Sequence, residues 1–269
     1  MRAKKRLGQH FLQPEWADKL VDAIAPAGED HFLEIGPGPG ALTLRLAGRV
    51  EHVTAVEVDP DMIARLRPAL PSNVTLVEAD FLETSVDTLI PGPNVVRVAG
   101  NLPYNVSSPI LFRLLDAAAQ THRLVDATLM LQREVAERIE AGPGSRTYGV
   151  LSIFVQQQAD VRRLLTLPPG AFRPAPKVQS AVLRLVFRPP RAPVLDPALF
   201  GAMVRSMFTQ RRKTLANALK PFAGGLGADG AATLREAGID PSRRPETLQL
   251  DELAGLADLF FSAKKRAVL

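Results

Sequence analysis

A chain of 269 residues, 46% hydrophobic and 23% charged, can bury one sizeable core and leaves room for a second, smaller domain. It has no cysteine, which excludes structural disulfides and thiolate metal sites; no metal is expected, and a cytoplasmic protein, monomeric in solution, is the simplest reading. No apolar run reaches the length of a membrane span, residues 1–20 lack the apolar centre of a signal peptide, and the formal net charge of +5 favours a polyanionic partner.

The chain opens on a basic cluster, Arg2, Lys4, Lys5 and Arg6. The first strand pattern, Phe32-Leu33-Glu34-Ile35, runs into Gly36-Pro37-Gly38-Pro39-Gly40 and then into an amphipathic helix over 41–47. This is the entry to a nucleotide site in a doubly wound α/β domain, because glycines permit a sharp turn and let a ligand approach the backbone closely. The glycines alternate and follow an acid, Glu34. That spacing is not the G-x-G-x-x-G of dinucleotide folds, and no His, Tyr or Lys constellation suited to hydride transfer accompanies it.

A second apolar run, 52–58, carries Glu57 and is followed by Asp59. Glu57 lies about twenty residues past the loop, where a carboxylate accepts hydrogen bonds from ribose hydroxyls. A third run, 74–77, ends in Glu78-Ala79-Asp80-Phe81. Three successive strands thus end in Gly-rich or acidic tips, and open α/β sheets bind ligands outside those carboxyl ends. Taken singly, each acid is better read as a helix N-cap or a solvated loop end; it is their joint order and spacing that argue for a ligand.

The fourth strand pattern, 94–99, leads into Asn101-Leu102-Pro103-Tyr104. An amide, a carbonyl fixed beside a proline and an aromatic ring are the parts needed to hold a flat base and grip its exocyclic amine. The same tetrapeptide also suits an ordinary turn, in which Asn starts the bend and Pro fixes φ.

Helical patterns follow over 109–119 and 133–139, and the alternating run 178–187 reads as a late antiparallel strand pair with 149–159 nearby. Arg188-Pro189-Pro190-Arg191-Ala192-Pro193 breaks both periodicities and marks a linker. The expected division is 1–188 and 189–269. Beyond the linker the pattern is helical only, over 197–207, 211–220, 228–237 and 250–263, with Leu199, Met203, Met207, Leu215 and Leu219 forming a small core. Arg211, Arg212 and Lys213 are adjacent cations that repel unless an anion or water screens them, which favours phosphate contacts.

This set resembles the Rossmann-like S-adenosylmethionine-dependent methyltransferases, and the Asn-Leu-Pro-Tyr variant resembles those that methylate N6 of adenine. Three further stretches are similar to the ribosomal RNA adenine dimethyltransferases, the small-subunit group in particular. They are Lys4-Lys5-Arg6-Leu7-Gly8-Gln9-His10-Phe11-Leu12, the segment 169–182 around Phe172-Arg173-Pro174-Ala175-Pro176-Lys177, and Phe208-Thr209-Gln210-Arg211-Arg212-Lys213-Thr214-Leu215.

The resemblance implies an α/β Rossmann-like methyltransferase domain followed by a small all-helical, RNA-binding C-terminal domain. It also implies S-adenosyl-L-methionine as cofactor, with Gly36, Gly38 and Gly40 at its methionine part behind Glu34, Glu57 at the ribose, Asp80 at the adenine amine, and Gln9, His10, Leu12 and Asn101 completing the site. The target amine would be gripped by the Asn101 side-chain oxygen and the Leu102 carbonyl, stiffened by Pro103, with Tyr104 and Phe172 stacking on opposite faces of the base. Arg211, Arg212 and Lys213 would contact RNA. The implied partner is the small ribosomal subunit and its 16S rRNA, methylated on two adjacent adenosines of a 3′-terminal hairpin loop during subunit biogenesis. Two alternatives stay open at this point: the related large-subunit (23S) dimethyltransferases of macrolide resistance, and a non-catalytic assembly factor.

Overall fold

The computed structural model describes residues 10–268, so the basic cluster at Arg2 to Arg6 and Gln9 lie outside the described residues. Seven strands form one sheet: β2 (His31–Ile35), β3 (His52–Glu57), β4 (Val74–Glu78), β5 (Val96–Asn101), β6 (Leu124–Gln132), β7 (Ala159–Leu167) and β9 (Ser180–Phe187). Their order is β4-β3-β2-β5-β6-β9-β7. The first five are parallel, whereas β9 runs antiparallel to both β6 and β7. A short pair, β1 (Phe11–Leu12) with β8 (Phe172–Arg173), stands apart from the sheet.

Parallel strands are covered on both faces, so their sequences run as continuous apolar stretches. Val98 and Ala99 of β5 and Leu129, Met130 and Leu131 of β6 are fully buried accordingly. From β2 the chain moves outward to β3 and β4, then returns across β2 to β5. The order therefore reverses between β2 and β5, the place where an open α/β sheet leaves a crevice beyond its strand ends.

Helix α1 (Pro14–Ile24) buries Ala17, Leu20, Val21 and Ile24, the i, i+3, i+4, i+7 stripe of an amphipathic helix. Its last carbonyls are tied to the sheet by Arg97, whose guanidinium donates to Ile24 O at 2.9 Å and to Asp30 and Asp126 at 2.7 and 3.0 Å. Burial works against the charged form of Arg97, yet hydrogen bonds to Asp126 and Asp30 hold its pKa above the usual arginine value.

The expected strand partner for 178–187 is corrected. Residues 149–159 contribute α7 (Val150–Gln158), and the strand beside β9 is β7. The run Leu151, Ile153, Phe154, Val155 suits either period; Ser152 Oγ, donating to Arg138 O, and Gln156, donating to Ile139 O and Ala141 O, commit it to a helix.

Two compact units divide the chain. One comprises the described residues up to Ala136 together with Gln158–Pro189; the other comprises Glu137–Gln157 and everything from Pro190 onward. A single cut at 188/189 does not anticipate that Glu137–Gln157 groups with the C-terminal helices. Nor is the Pro-rich stretch a free tether, because Gln157 pairs with Ala192 through both its amide atoms.

In the second unit, α8 (Pro197–Thr209), α9 (Leu215–Ala218), α10 (Lys220–Gly225), α11 (Gly230–Glu236) and α12 (Leu250–Val268) enclose a core. Leu199, Met203, Met207, Leu215 and Leu219 are all buried in it. The basic triplet is not helical: Arg211, Arg212 and Lys213 occupy the turn between α8 and α9, with Lys213 N donating to Gln210 O and Thr214 opening α9. No described helix is long and apolar enough to cross a membrane.

Candidate active site

A cavity opens at the carboxyl ends of β2, β3, β4 and β5, lined from all four strand tips and from β1. His10, Leu12, Glu34, Gly36, Gly38, Glu57, Asp80, Asn101, Leu102, Pro103 and Tyr104 all stand on its wall. Glu34 and Asn101 share this wall because the sheet order places β2 beside β5, and His10 reaches it by accepting from Asn101, ninety-one positions away.

The Gly-rich turn takes its shape from left-handed backbone at Gly36 (φ +69°), Gly38 (φ +54°) and Gly40 (φ +87°), a region open to glycine and costly for other residues. A Cβ on Gly36 would meet nothing within 4 Å, whereas one on Gly40 would lie 2.4 Å from Leu66 Cδ1. Gly36 therefore presents open backbone, and Gly40, which is absent from the cavity wall, is required by packing.

Glu57 ties this turn to the tip of β3. Its Oε2 accepts from Gly38 N at 2.9 Å, and its Oε1 from Val58 N and Asp59 N at 3.0 and 2.9 Å. An ionised carboxylate offers about four acceptor positions, so one remains for a ligand hydroxyl. Asp59 is a helix cap, accepting from Asp61 N at 3.1 Å at the start of α3 (Pro60–Leu66). Asp80 is exposed; its Oδ1 accepts from Leu82 N at 2.8 Å, and among the described residues its Oδ2 is open to an amine.

Glu34 is only 2% exposed and, among the described residues, its Oε2 has no hydrogen-bond partner. Burial pushes its carboxyl up to about 7, opposed by Thr43 and reinforced by the Glu57 charge. A buried, unsatisfied acid on a cavity wall is stabilised by an incoming cation. Together, open glycine backbone, a ribose-type acceptor, a free carboxylate oxygen and an unpaired buried acid fit a nucleoside that carries an ammonium-bearing arm.

Asn101 Nδ2 donates to His10 O at 2.7 Å. Among the described residues, neither Asn101 Oδ1 nor the Leu102 carbonyl accepts a hydrogen bond. The Leu102 side chain is buried and its N–H donates to Met130 O, which anchors the turn from below. Pro103 has no N–H to compete for the Leu102 carbonyl. Tyr104 shares a 2.6 Å hydrogen bond with Ser180 Oγ, and burial holds its phenol above the ordinary value.

Phe172 departs from expectation. It is 2% exposed, sits in a core cluster with Leu12, Ala171 and Val182, and is absent from the cavity wall. It bridges to Leu12 in the β1/β8 pair. The ring that faces Tyr104 is His10, stacked at 5.3 Å between centroids. Among the wall residues that the sequence reading gave no role are Phe11 and Val58. Phe11 covers the glycine turn, 3.3 Å from where a Gly38 Cβ would lie, and Val58 is half exposed beside Glu57. The signal was available for both: an exposed apolar residue immediately after the ribose-type acid, and an aromatic between two residues already singled out. Among the described residues no group of three or more His, Asp or Glu could hold a metal ion.

Comparison with known proteins identifies the family. The family model described as "Ribosomal RNA adenine dimethylase" matches residues 1–257. The "Ribosomal RNA small subunit methyltransferase A" of Acidithiobacillus ferrooxidans is 47% identical over 262 residues, covering 96% of this chain and 94% of that protein. Among solved structures, a dimethyladenosine transferase from Plasmodium falciparum superposes with a TM-score of 0.79 at 24% identity, covering 94% of this chain and 98% of that one. The 23S rRNA methyltransferase ErmE superposes with a TM-score of 0.66 at 25% identity, over 93% and 99% of the two chains. With a family match spanning both units and a near full-length relative at this identity, the chain belongs to the ribosomal RNA adenine dimethylase family.

Proposed function

We propose that the protein transfers methyl groups from S-adenosylmethionine to N6 of two adjacent adenosines in a hairpin loop near the 3′ end of small-subunit rRNA, giving N6,N6-dimethyladenosine during subunit biogenesis. The observation that carries this reading is the pair of uncommitted carbonyl oxygens, Asn101 Oδ1 and Leu102 O, beside the Tyr104 ring. The small-subunit assignment is supported by the relative at 47% identity, against 25% for the 23S enzyme.

S-adenosylmethionine supplies, when bound, an electrophilic methyl on a cationic sulfur. The residues that would hold it are the Gly36 backbone and Glu34 at the amino-acid arm, Glu57 at the ribose and Asp80 at the adenine amine. The N6 lone pair of adenine is delocalised into the ring, so the amine is a poor nucleophile. In the first transfer Asn101 Oδ1 and Leu102 O each accept one N6 hydrogen, and in the second one of them accepts the single hydrogen that remains, drawing the nitrogen toward tetrahedral geometry and releasing the lone pair. Tyr104 stacks on the base, a contact worth about 1–3 kcal/mol. The cationic product amine sheds its proton to water, so no strong base is needed. Holding the two reactants in line contributes most of the acceleration, an effect that reaches about 7–11 kcal/mol.

The target base must be unpaired, since N6 in a duplex is engaged in pairing. In this reading the second unit binds RNA, with exposed Arg212 and Lys213 on phosphates. Arg211 is partly committed, donating to Arg146 O at 2.8 Å. The test is methyl transfer from labelled S-adenosylmethionine to purified small subunits of a strain lacking the modification, with the product nucleoside identified. N6,N6-dimethyladenosine is expected; its absence, or modification of large subunits instead, overturns the proposal.

A further inference from the structure

The carboxylate that would meet the adenine amine, Asp80, sits on a loop with little behind it. Asp80 is exposed, and the segment that follows runs from buried Phe81 to buried Val86. Between these anchors Leu82 stands on the wall of the candidate site and also on that of a second cavity, lined in part by Glu83, Ser85, Asp87, Phe112 and Arg113. With open space on both sides, apolar packing does not fix Leu82 to Ser85, and hydrogen bonds have to.

Three of those bonds converge on one atom. Asp80 O accepts from Glu83 N at 3.1 Å, from Thr84 N at 3.0 Å and from Thr84 Oγ1 at 2.8 Å, which closes the turn in which Leu82 N reaches Asp80 Oδ1. Thr84 is held in its turn from α5 (Ser107–Thr121), where Arg113 Nη2 donates to Thr84 O. The Arg113 Nε is buried and, among the described residues, has no hydrogen-bond partner, a cost that the Thr84 bond has to offset. Ile110, three residues earlier and so on the same side of the helix, lines the candidate site.

We propose that Arg113 is a positioning residue of the cofactor site: through Thr84 it holds the turn that aims the Asp80 carboxylate, and so sets how strictly the site demands an exocyclic amine on the bound nucleoside. This rests on the reading of Asp80 as the acceptor for that amine. Arg113 itself lies off the wall of the candidate site. A carboxylate held in advance need not be ordered when the ligand arrives, and ordering is what an exposed side chain on an unbraced loop otherwise costs. The loss of the brace therefore falls on ligands that carry the amine. General support of the fold would affect ligands with and without it alike.

The experiment is calorimetry on the full chain with S-adenosylhomocysteine and with S-inosylhomocysteine, which carries an oxo group where the amine would be. Wild type should prefer the first by about ten- to a hundredfold, the scale of one hydrogen bond to a charged group. Arg113→Met keeps the apolar stem and removes the donors. It should bind S-adenosylhomocysteine about two- to tenfold more weakly and leave S-inosylhomocysteine nearly unchanged. Arg113→Lys, which keeps a donor, should recover most of the loss. Thr84→Val removes one of the three bonds on Asp80 O and should shift the selectivity in the same direction. In an Asp80→Ala background Arg113→Met should change neither affinity. An equal loss for both ligands, or wild-type selectivity in both Arg113→Met and Thr84→Val, overturns the proposal. Wild type that binds the two ligands equally overturns the reading of Asp80 itself, an outcome distinct from a selective wild type with equally selective variants.

Discussion

The side-chain amide of Asn101 donates to the backbone carbonyl of His10, ninety-one residues earlier, across 2.7 Å. A carbonyl only accepts, so this contact fixes which end of the amide points away and leaves Oδ1 turned to the site. Asn101→Ala removes the acceptor and should lower kcat by roughly 10²–10³, the scale for losing one preorganised polar contact at a reacting centre. Asn101→Asp keeps an acceptor but sets a carboxylate oxygen against the His10 carbonyl, and should be as damaging. Single-turnover methyl transfer with cofactor and subunits saturating measures both; a rate for Asn101→Asp near wild type would refute the orientation argument.

Glu34 gives a pH dependence of defined sign. Its folded carboxyl titrates at about 7 against 4.5 for an ordinary glutamate. Below the lower value it is protonated folded and unfolded alike, and ionisation costs nothing. As pH rises through this window the unfolded chain releases a proton that the folded chain retains, so stability declines, and by about pH 8 the deficit reaches about 3 kcal/mol. Glu34→Gln should flatten this decline and exceed wild type in urea unfolding at about pH 8. The same variant should bind S-adenosylmethionine more weakly by calorimetry, since the buried acid no longer faces its ammonium.

Gly100 is required by packing. A Cβ there would stand 2.9 Å from the Ile35 carbonyl oxygen on the neighbouring strand and 3.1 Å from Leu102 Cδ2. Backbone cannot give way as a side chain tip does, so Gly100→Ala should destabilise by about 1–3 kcal/mol. It should also lower kcat by displacing Asn101. Gly28→Ala, where nothing lies within 4 Å, is the matched control and should change neither in chemical denaturation or assay.

Arg97 docks the end of α1 on the sheet through Ile24, Asp30 and Asp126. Arg97→Met strands two largely buried carboxylates and should cost about 3 kcal/mol or more. Replacing Asp126 by Asn in that background should recover part of the loss. Urea unfolding of wild type and both variants measures it, and a single-variant loss under about 1 kcal/mol would show that Arg184, which also donates to Ala23 O and Ile24 O, and apolar packing hold α1 without Arg97.

The basic turn makes a salt-dependence prediction. Arg212 and Lys213 are exposed, and replacing both by Ala should reduce the slope of log K for rRNA binding against log salt by about 2. Filter binding at several salt concentrations reads the slope. An unchanged slope would place the phosphate contacts elsewhere.

Much of the fold was legible because its determinants are local. Alternate glycines force left-handed backbone whatever lies around them, continuous apolar runs mark strands covered on both faces, and acids at successive strand tips need only the parallel order to converge. The proline run after Phe187 interrupts both periodicities without reference to any partner. What was misread depended on neighbours far along the chain. The 149–159 stretch carries a pattern compatible with either period, and Arg138, Ile139 and Ala141 settled it as helix. The basic triplet extends no helix because Gln210 and Thr214 close one and open the next around it.

Sequence by itself determined the residue types at the site and the strand ends that carry them, since those follow from backbone preference and periodicity. Tertiary structure alone decided which rings stand on the cavity wall. Phe172 is buried in a core cluster with Leu12, one hundred and sixty positions away, while His10 lies against Tyr104. A side chain's accessible face is set by what packs on the other one, and that information is not local.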